Sequence, residues 1–174
     1  MLHLEHLQNE HNRMVSYVIR EATIEDMPGV LGLICELALF EKEPDAVEIT
    51  VEDLERDGFG ERPSFHCFVA DIEGDIVGIA LVYPRYSTWK GIALHLEDLV
   101  VSRKYRGKGL GKALLSEVIR YGHELGVKRI NWEVLDWNEP AIKFYEYNGA
   151  RVLREWNVVQ LDEKGIKNYV AGLE

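Results

Sequence analysis

A mixed α+β fold is what this 174-residue sequence predicts, and three observations carry the prediction. "FHCFVADI", "IVGIALVYPRY" and "GIALHLEDLVV" are successive apolar, β-branched runs divided by short turns, the pattern of an antiparallel meander. Helical periodicity with capping residues lies on both sides of that meander. A glycine-rich basic stretch, "VSRKYRGKGLGKALL", joins the last of its strands to a helix.

The elements follow in order. "VSYVIREA" reads as the first strand, and "TIEDMPGVLGLICELALFEK" as a helix with Thr23 as N-cap and an acidic first turn. "TVEDLERDGFG" is a second, short helix, capped by Thr50 and stopped at Gly58, with Pro63 turning the chain into the meander. "EGD" links the first two meander strands. After the glycine loop comes a helix from about Leu110 to Leu125, ended by Gly126, then the strand "RINWEVL", the short helix "PAIKFYEYNG" and closing strands. That makes about seven strands. Residues 1–14 are expected to be a flexible extension and 15–174 a single domain, since no repeat or low-complexity linker interrupts them.

Composition excludes several classes. Hydrophobic residues at 47% and charged residues at 29% suit an ordinary globular domain. A formal charge of −10 repels nucleic acid and favours a cationic ligand. No apolar run approaches bilayer length, so no membrane association is expected, and "MLHLEHLQNEHNRM" lacks the basic and apolar blocks of a signal peptide. A cytoplasmic protein is expected, with Cys35 and Cys67 as buried, reduced thiols. No metal site is expected: His3, His6 and His11 lack a ligand spacing, and His66, His95 and His123 are scattered through strand and helix patterns where structural histidines are common.

The loop is the chemical signal. Gly107 and Gly111-Lys112 enclose three residues and Ala113 follows, which is no Walker loop, and the sixth position counted from Gly107 is Lys112, which spoils a dinucleotide fingerprint. Glycines at 107, 109 and 111 nevertheless let the backbone turn its amides to one point, where a helix begins and its positive dipole end adds to them. Arg103, Lys104, Arg106, Lys108 and Lys112 make a positive island on an acidic molecule, and together these features suit a phosphate or pyrophosphate.

Arg106-Gly107-Lys108-Gly109-Leu110-Gly111, with Lys112 following, resembles the acetyl-coenzyme A pyrophosphate loop of the GNAT N-acetyltransferases. In "VLDWNEPAIKFYEYNGA", Asn138, Glu139, Pro140 and Ala141 open a short helix carrying Tyr145, similar to the second half of that cofactor site. "REATIEDM", "LICELALFEK", "DGFGERPSFHCFVA", "YSTWKG", "LEDLVV" and "VLDWN" narrow the likeness to the spermidine/spermine (diamine) N-acetyltransferases, and "FEK", "YSTWKG" and "VLDWN" to their thialysine N-epsilon-acetylating branch. The polyamine branch has an acid where this chain has Ser87.

The resemblance implies a GNAT fold, a strongly bent sheet with helices on both faces that splays between its fourth and fifth strands to admit the acetyl group, and a homodimer joined through the closing strands. It implies that Leu99 and Val101 offer main-chain hydrogen bonds to the pantetheine arm, that Val100 between them is also a cofactor-binding residue, and that Asn138 fixes the arm's far end. Acetyl transfer to an amine needs a deprotonated nucleophile and a proton for the departing thiolate. Glu97 falls where the family's substrate glutamate stands, and Tyr145 where its phenolic acid stands. Asp98 alternates to the other face unless a bulge intervenes. Phe40, Glu41, Trp89, Asn131, Trp132 and Glu133 fall on amine-pocket positions, a carboxylate and aromatic set suited to a cation. Glu36, five positions before Glu41, reads as surface charge, and Arg85 and Lys90 are candidates to pair an amino acid's carboxylate. The expected function is therefore acetyl-coenzyme A dependent N-acetylation of a small primary amine. The alternatives are a non-catalytic acyl-coenzyme A or polyamine sensor and a peptide or protein lysine acetyltransferase.

Overall fold

Strand patterning, helix caps and glycine placement resolve into two compact units in the computed structural model, which describes residues 16–173. The extension expected at 1–14, with its three histidines, lies outside the described residues. One unit ends at Glu133 and the other begins at Val134, and each is described by itself.

The first unit is built on a five-stranded sheet: β1 (Val18–Glu21), β2 (His66–Ile72), β3 (Asp75–Ser87), β4 (Gly91–Val101) and β5 (Ile130–Asn131), neighbours in chain order. β1 to β4 pair antiparallel and β4 pairs β5 in parallel, so the sheet is mixed. The "EGD" turn holds as read. Glu73 and Gly74 both take positive φ (55° and 92°), the twist a two-residue hairpin needs, and Asp71 Oδ1 accepts from Gly74 N at 2.7 Å.

Helices cover both faces. α1 (Met27–Phe40) and α2 (Val51–Phe59) bring Met27, Val30, Leu33 and Leu54 onto Cys67, Val69, Ile79, Leu81 and Val100. Each such side chain contributes roughly 1.5–3 kcal/mol by burial. Gly29 is what lets α1 lie so close, since a Cβ there would stand 2.9 Å from Ile76 Cβ. α3 (Leu110–Glu124) covers the opposite face: a Cβ on Gly78 would meet Leu114 Cδ1 at 3.0 Å, and Phe68 lies edge-on to Tyr121 at 5.5 Å.

Local signals were partly re-used by tertiary contacts. Thr23 caps a 3-10 turn, Ile24–Asp26, that precedes α1, and Asp26 Oδ2 accepts from Thr23 N at 2.7 Å. Arg20 then holds Asp26 (2.6 and 2.9 Å) and Asp71 (2.8 Å), tying β1, the turn and β2 together. Thr50 does cap α2, accepting from Asp53 N at 3.2 Å. Gly58 does not stop that helix, which ends at Phe59 with Gly60 as cap. Its missing side chain instead makes room for the Phe65 ring, whose Cζ would be 2.6 Å from a Cβ.

Among the described residues the sheet has five strands, not about seven. "RINWEVL" keeps only Ile130–Asn131 in a ladder, because just two residues find partners on β4. The expected closing strands do not form. A strand needs an edge to pair with, and residues 151–162 make no ladder among the described residues. The second unit is helical instead: α4 (Glu139–Tyr147) and α5 (Glu163–Ala171), the latter opened by Asp162, whose Oδ1 accepts from Gly165 N at 2.6 Å. Glu163 and Lys167 pair across one turn of it. Cys67 is buried as expected, but Cys35 is exposed on α1. Among the described residues no helix is long and apolar enough to cross a membrane.

Candidate active site

Ladder pairing between β4 and β5 ends at His95–Asn131, whereas β4 runs on to Val101. From Leu96 onward, therefore, β4 has lost its neighbour on that side, and this stretch leads straight into the glycine loop. The loop has the conformation its glycines permit. Gly107 and Gly109 take φ of 74° and 89°, Gly109 is the left-handed N-cap of α3, and the first helical bond is Ala113 N to Gly109 O at 3.0 Å. The amides of Leu110, Gly111 and Lys112 thus have no acceptor within the helix. Lys104 and Lys108 both lie over the Tyr105 ring, 5.0 and 5.1 Å from its centre, and Arg106 lies 5.4 Å from that of Phe40. Those amides and cations fit a pyrophosphate.

Glu97 occupies a β-bulge. Leu81 pairs with Asp98 and Val82 with Leu96, which leaves Glu97 as the extra residue, exposed, at the point where β4 comes free. Three in-register side chains brace it: Tyr83 opposite His95, and His95 opposite Asn131. Tyr83 Oη donates to Glu97 Oε2 at 2.8 Å, His95 Nε2 stands 3.5 Å from the same oxygen, and Asn131 Nδ2 donates to His95 Nδ1 at 2.7 Å. Burial, reinforced by Glu97, pushes the Tyr83 phenol up to about 12, so it stays a donor at neutral pH. Burial also holds the His95 imidazole below its ordinary value. Asp98, half-buried, is pushed up to about 6 by burial first and then by Glu97 and Glu41, so the three carboxylates share one electrostatic neighbourhood. Burial lifts the Glu41 carboxyl too. A clustered set of carboxylates is a setting for a cation.

Other expected residues are dispersed. Trp89 is 80% exposed at the tip of the β3–β4 hairpin, whose turn is held by Ser87 Oγ accepting from Trp89 N and Lys90 N at 3.3 and 3.2 Å. At about 3.3 Å per residue it stands roughly 20 Å along β4 from Glu97, so one chain does not gather the two. Glu133 and Arg85 act on Tyr83 and His95 electrostatically, and Lys90 stays at the exposed hairpin tip. Val101 O is taken by Arg106 Nε at 2.9 Å. In the second unit Asn138 Oδ1 caps α4, accepting from Ala141 N at 3.4 Å, Pro140 sits in the first turn after Glu139, and Tyr145 is buried beside Phe144, ring centres 5.3 Å apart.

Sequence reasoning missed Tyr83, His95 and Glu36. Tyr83 and His95 were legible only through hairpin register. Glu36 is no idle surface charge: its Oε1 accepts from Arg103 N at 2.7 Å and lies 4.0 Å from Arg106 Nη2, bracing the entry to the glycine loop. No marker in the sequence places α1 against that loop.

The bulged carboxylate lies on a parting strand that runs into a glycine loop and a helix N-terminus, and the profile of the acetyltransferase (GNAT) family matches residues 32–150, which span all three. The chain belongs to that family and is an acetyltransferase. It is 43% identical over 150 residues to the thialysine N-epsilon-acetyltransferase of Sus scrofa, covering 82% of this chain and 88% of that one. It is 36% identical to the spermidine/spermine N(1)-acetyltransferase-like protein 1 of Homo sapiens, over 77% of this chain and 20% of that one. The fold is similar to that of aminoglycoside N-acetyltransferase AAC(6')-Iy in complex with CoA, with a TM-score of 0.67 and 18% identity over 83% of this chain and 94% of that one.

Proposed function

We propose that this acetyltransferase acetylates the primary amine of a small cationic substrate, a thialysine- or lysine-like amino acid before a diamine or polyamine. The observation that carries the proposal is Glu97 set out on a bulge, oriented by Tyr83, among the acids Asp98 and Glu41. Acetyl-coenzyme A supplies the acetyl thioester. The loop Arg106–Lys112 holds its pyrophosphate through the α3 amides and Lys108, and Leu99, with the Val101 amide, presents main-chain groups along the open edge of β4, Val100 between them being turned to β3. Asn138, Glu139, Pro140 and Ala141 are assigned to cofactor binding on the family resemblance.

An ammonium of lysine type has a pKa near 10 and must lose a proton before attack. Glu97 takes that proton directly or through one water, and Tyr145, as a phenol, returns one to the departing thiolate. Glu41, Trp132 and Glu133 hold the cation, while Phe40, packed against Arg106, walls the pocket. Arg85, which acts on Tyr83 and His95, favours the amino-acid substrate because it offers a partner for its carboxylate, whereas Lys90 at the hairpin tip is too distant within one chain, and Ser87, where an acid would serve a second ammonium, points the same way. We place residues 15–174 in one acetyltransferase domain, in a homodimer through the segment carrying the exposed Trp156, Val158 and Val159, and in the cytoplasm, where free thiols such as Cys35 and Cys67 stay reduced. A dimer also gives the distant Trp89 a second site to serve.

The test is release of coenzyme A thiol with thialysine, lysine, putrescine and spermidine. Turnover that is highest with thialysine or lysine and falls in both Tyr145→Phe and Glu97→Gln is expected. Tight coenzyme A binding with no turnover on any of the four would overturn the proposal.

A further inference from the structure

The row Tyr83, His95, Asn131 extends behind Glu97 in a way that amine acetylation by a lone carboxylate does not require. His95 is only 6% exposed, so its ring is held by its neighbours rather than by solvent. Tyr83 and Arg85 face it from β3, Glu97 from β4, and Asn131 and Glu133 from β5 and the residues that follow. With Asn131 Nδ2 donating to Nδ1, the neutral ring carries its proton on Nε2, aimed toward Glu97 Oε2. Asn131 Oδ1 is then buried without a hydrogen-bond partner. A half-turn of that amide fills the same volume and brings Oδ1 to Nδ1. The ring can then hold its proton on Nδ1, leaving the Nε2 lone pair toward Glu97.

We infer that His95, with Asn131 as its two-way partner, is a positioning residue that accepts from Glu97 the proton which Glu97 removes from the substrate ammonium. This rests on the proposed amine acetylation. The balance is simple. One proton leaves the ammonium nitrogen for a Glu97 oxygen, and passes to His95 Nε2 while Nδ1–H donates to Asn131 Oδ1. It is released to solvent once the C–N bond has formed and the C–S bond has broken, while the second proton that the nitrogen sheds on becoming an amide replaces the one Tyr145 gives to the thiolate, so each turnover releases one proton. Glu97 is thereby returned to its charged form within the same turnover. Tyr83, which keeps its own proton, fixes Oε2 during the exchange.

The experiment combines kinetics with imidazole ¹⁵N spectra. His95→Gln keeps a donor near Glu97 but cannot take a proton. It is expected to lower kcat by about 10- to 100-fold with KM changed by less than about 3-fold, and to move the acidic limb of the kcat/KM profile to lower pH. Asn131→Asp, a fixed acceptor for Nδ1–H, is expected to move that limb to higher pH. In the spectra, the wild-type His95 ring should titrate, and Glu97→Gln should shift that titration to lower pH. An unchanged pH profile in His95→Gln and Asn131→Asp, with wild-type turnover intact, would overturn the inference while leaving the acetylation proposal standing. If the wild type acetylates no amine, that proposal fails. The spectra then judge the coupling alone, and a His95 titration indifferent to Glu97→Gln would end it.

Discussion

Gly109→Ala separates backbone recognition of the cofactor from mere charge attraction. Gly109 sits at φ 89°, ψ −8°, and an alanine held there costs about 1–2 kcal/mol. No clash adds to this, because the nearest atom to the new Cβ is Tyr17 Oη at 3.9 Å. The variant has two responses. If the loop keeps its shape, folding stability drops by about 1–2 kcal/mol and coenzyme A binds as before. If the loop relaxes to negative φ, stability recovers but the Leu110 and Gly111 amides turn away, and Kd for coenzyme A rises about 5- to 30-fold, the same free energy expressed in binding. Gly107→Ala, at φ 74° with open space around it, should behave alike. Gly109→Asn should recover part of the loss, since asparagine enters the left-handed region more readily than alanine. Urea unfolding and calorimetric titration with coenzyme A, run on the same preparations, read the two quantities. Both unchanged in the Gly107→Ala, Gly109→Ala double variant would refute the amide cradle.

Asp98→Asn should stabilise the protein by about 2 kcal/mol at pH 7.5, allowing for the partial exposure of the group, and by almost nothing at pH 3. The sign follows from Asp98 being raised from 3.8 to about 6: the native state binds that proton more tightly than the unfolded chain does, so the penalty builds as pH rises from about 4 to about 6 and is complete above that, and urea unfolding at the two pH values checks it. Asp26 has the opposite sign. The Arg20 hydrogen bond, foremost, holds its carboxyl below the ordinary range, so its stabilisation is complete above about pH 4 and lost as pH falls through the folded value. Asp26→Asn should therefore cost about 2 kcal/mol at pH 7 and much less at pH 2.5 by the same assay. Gly78→Ala should cost about 1–3 kcal/mol by crowding Leu114 Cδ1 (3.0 Å), Val100 O (3.1 Å) and Ala70 Cβ (3.3 Å), seen as a lower urea midpoint with unchanged slope.

The meander, the glycine loop and the helix behind it were legible because their signals are local: alternation between turn residues, and glycines where φ must be positive. So was the family. What escaped depends on partners far along the chain. "RINWEVL" has strand composition over seven residues, but only the two opposite Leu94 and His95 pair. The segment after Ala150 holds Val152, Leu153, Trp156, Val158 and Val159, apolar enough for the expected closing strands, yet composition supplies no edge to pair with, and the chain goes instead to α5 from its Asp162 cap. At the candidate site the position of Glu97 was readable and its exposure was not, since the bulge that turns it outward is a property of the β3–β4 register. Glu36 shows the converse. Spacing on its own helix correctly separates it from Glu41, but says nothing about the loop that α1 meets.

The free length of β4 has a consequence for how such a protein can change over time. A ligand held by the main chain of residues 97–101 is indifferent to what those residues carry as side chains, so mutation there tests packing rather than donor affinity. Innovation in the acceptor is thereby uncoupled from conservation of the donor. Under the proposed reaction, the acids at 41 and 98 can be exchanged to suit another amine while Glu97 and the acetyl source are kept, and one scaffold can explore many acceptors without losing its fuel.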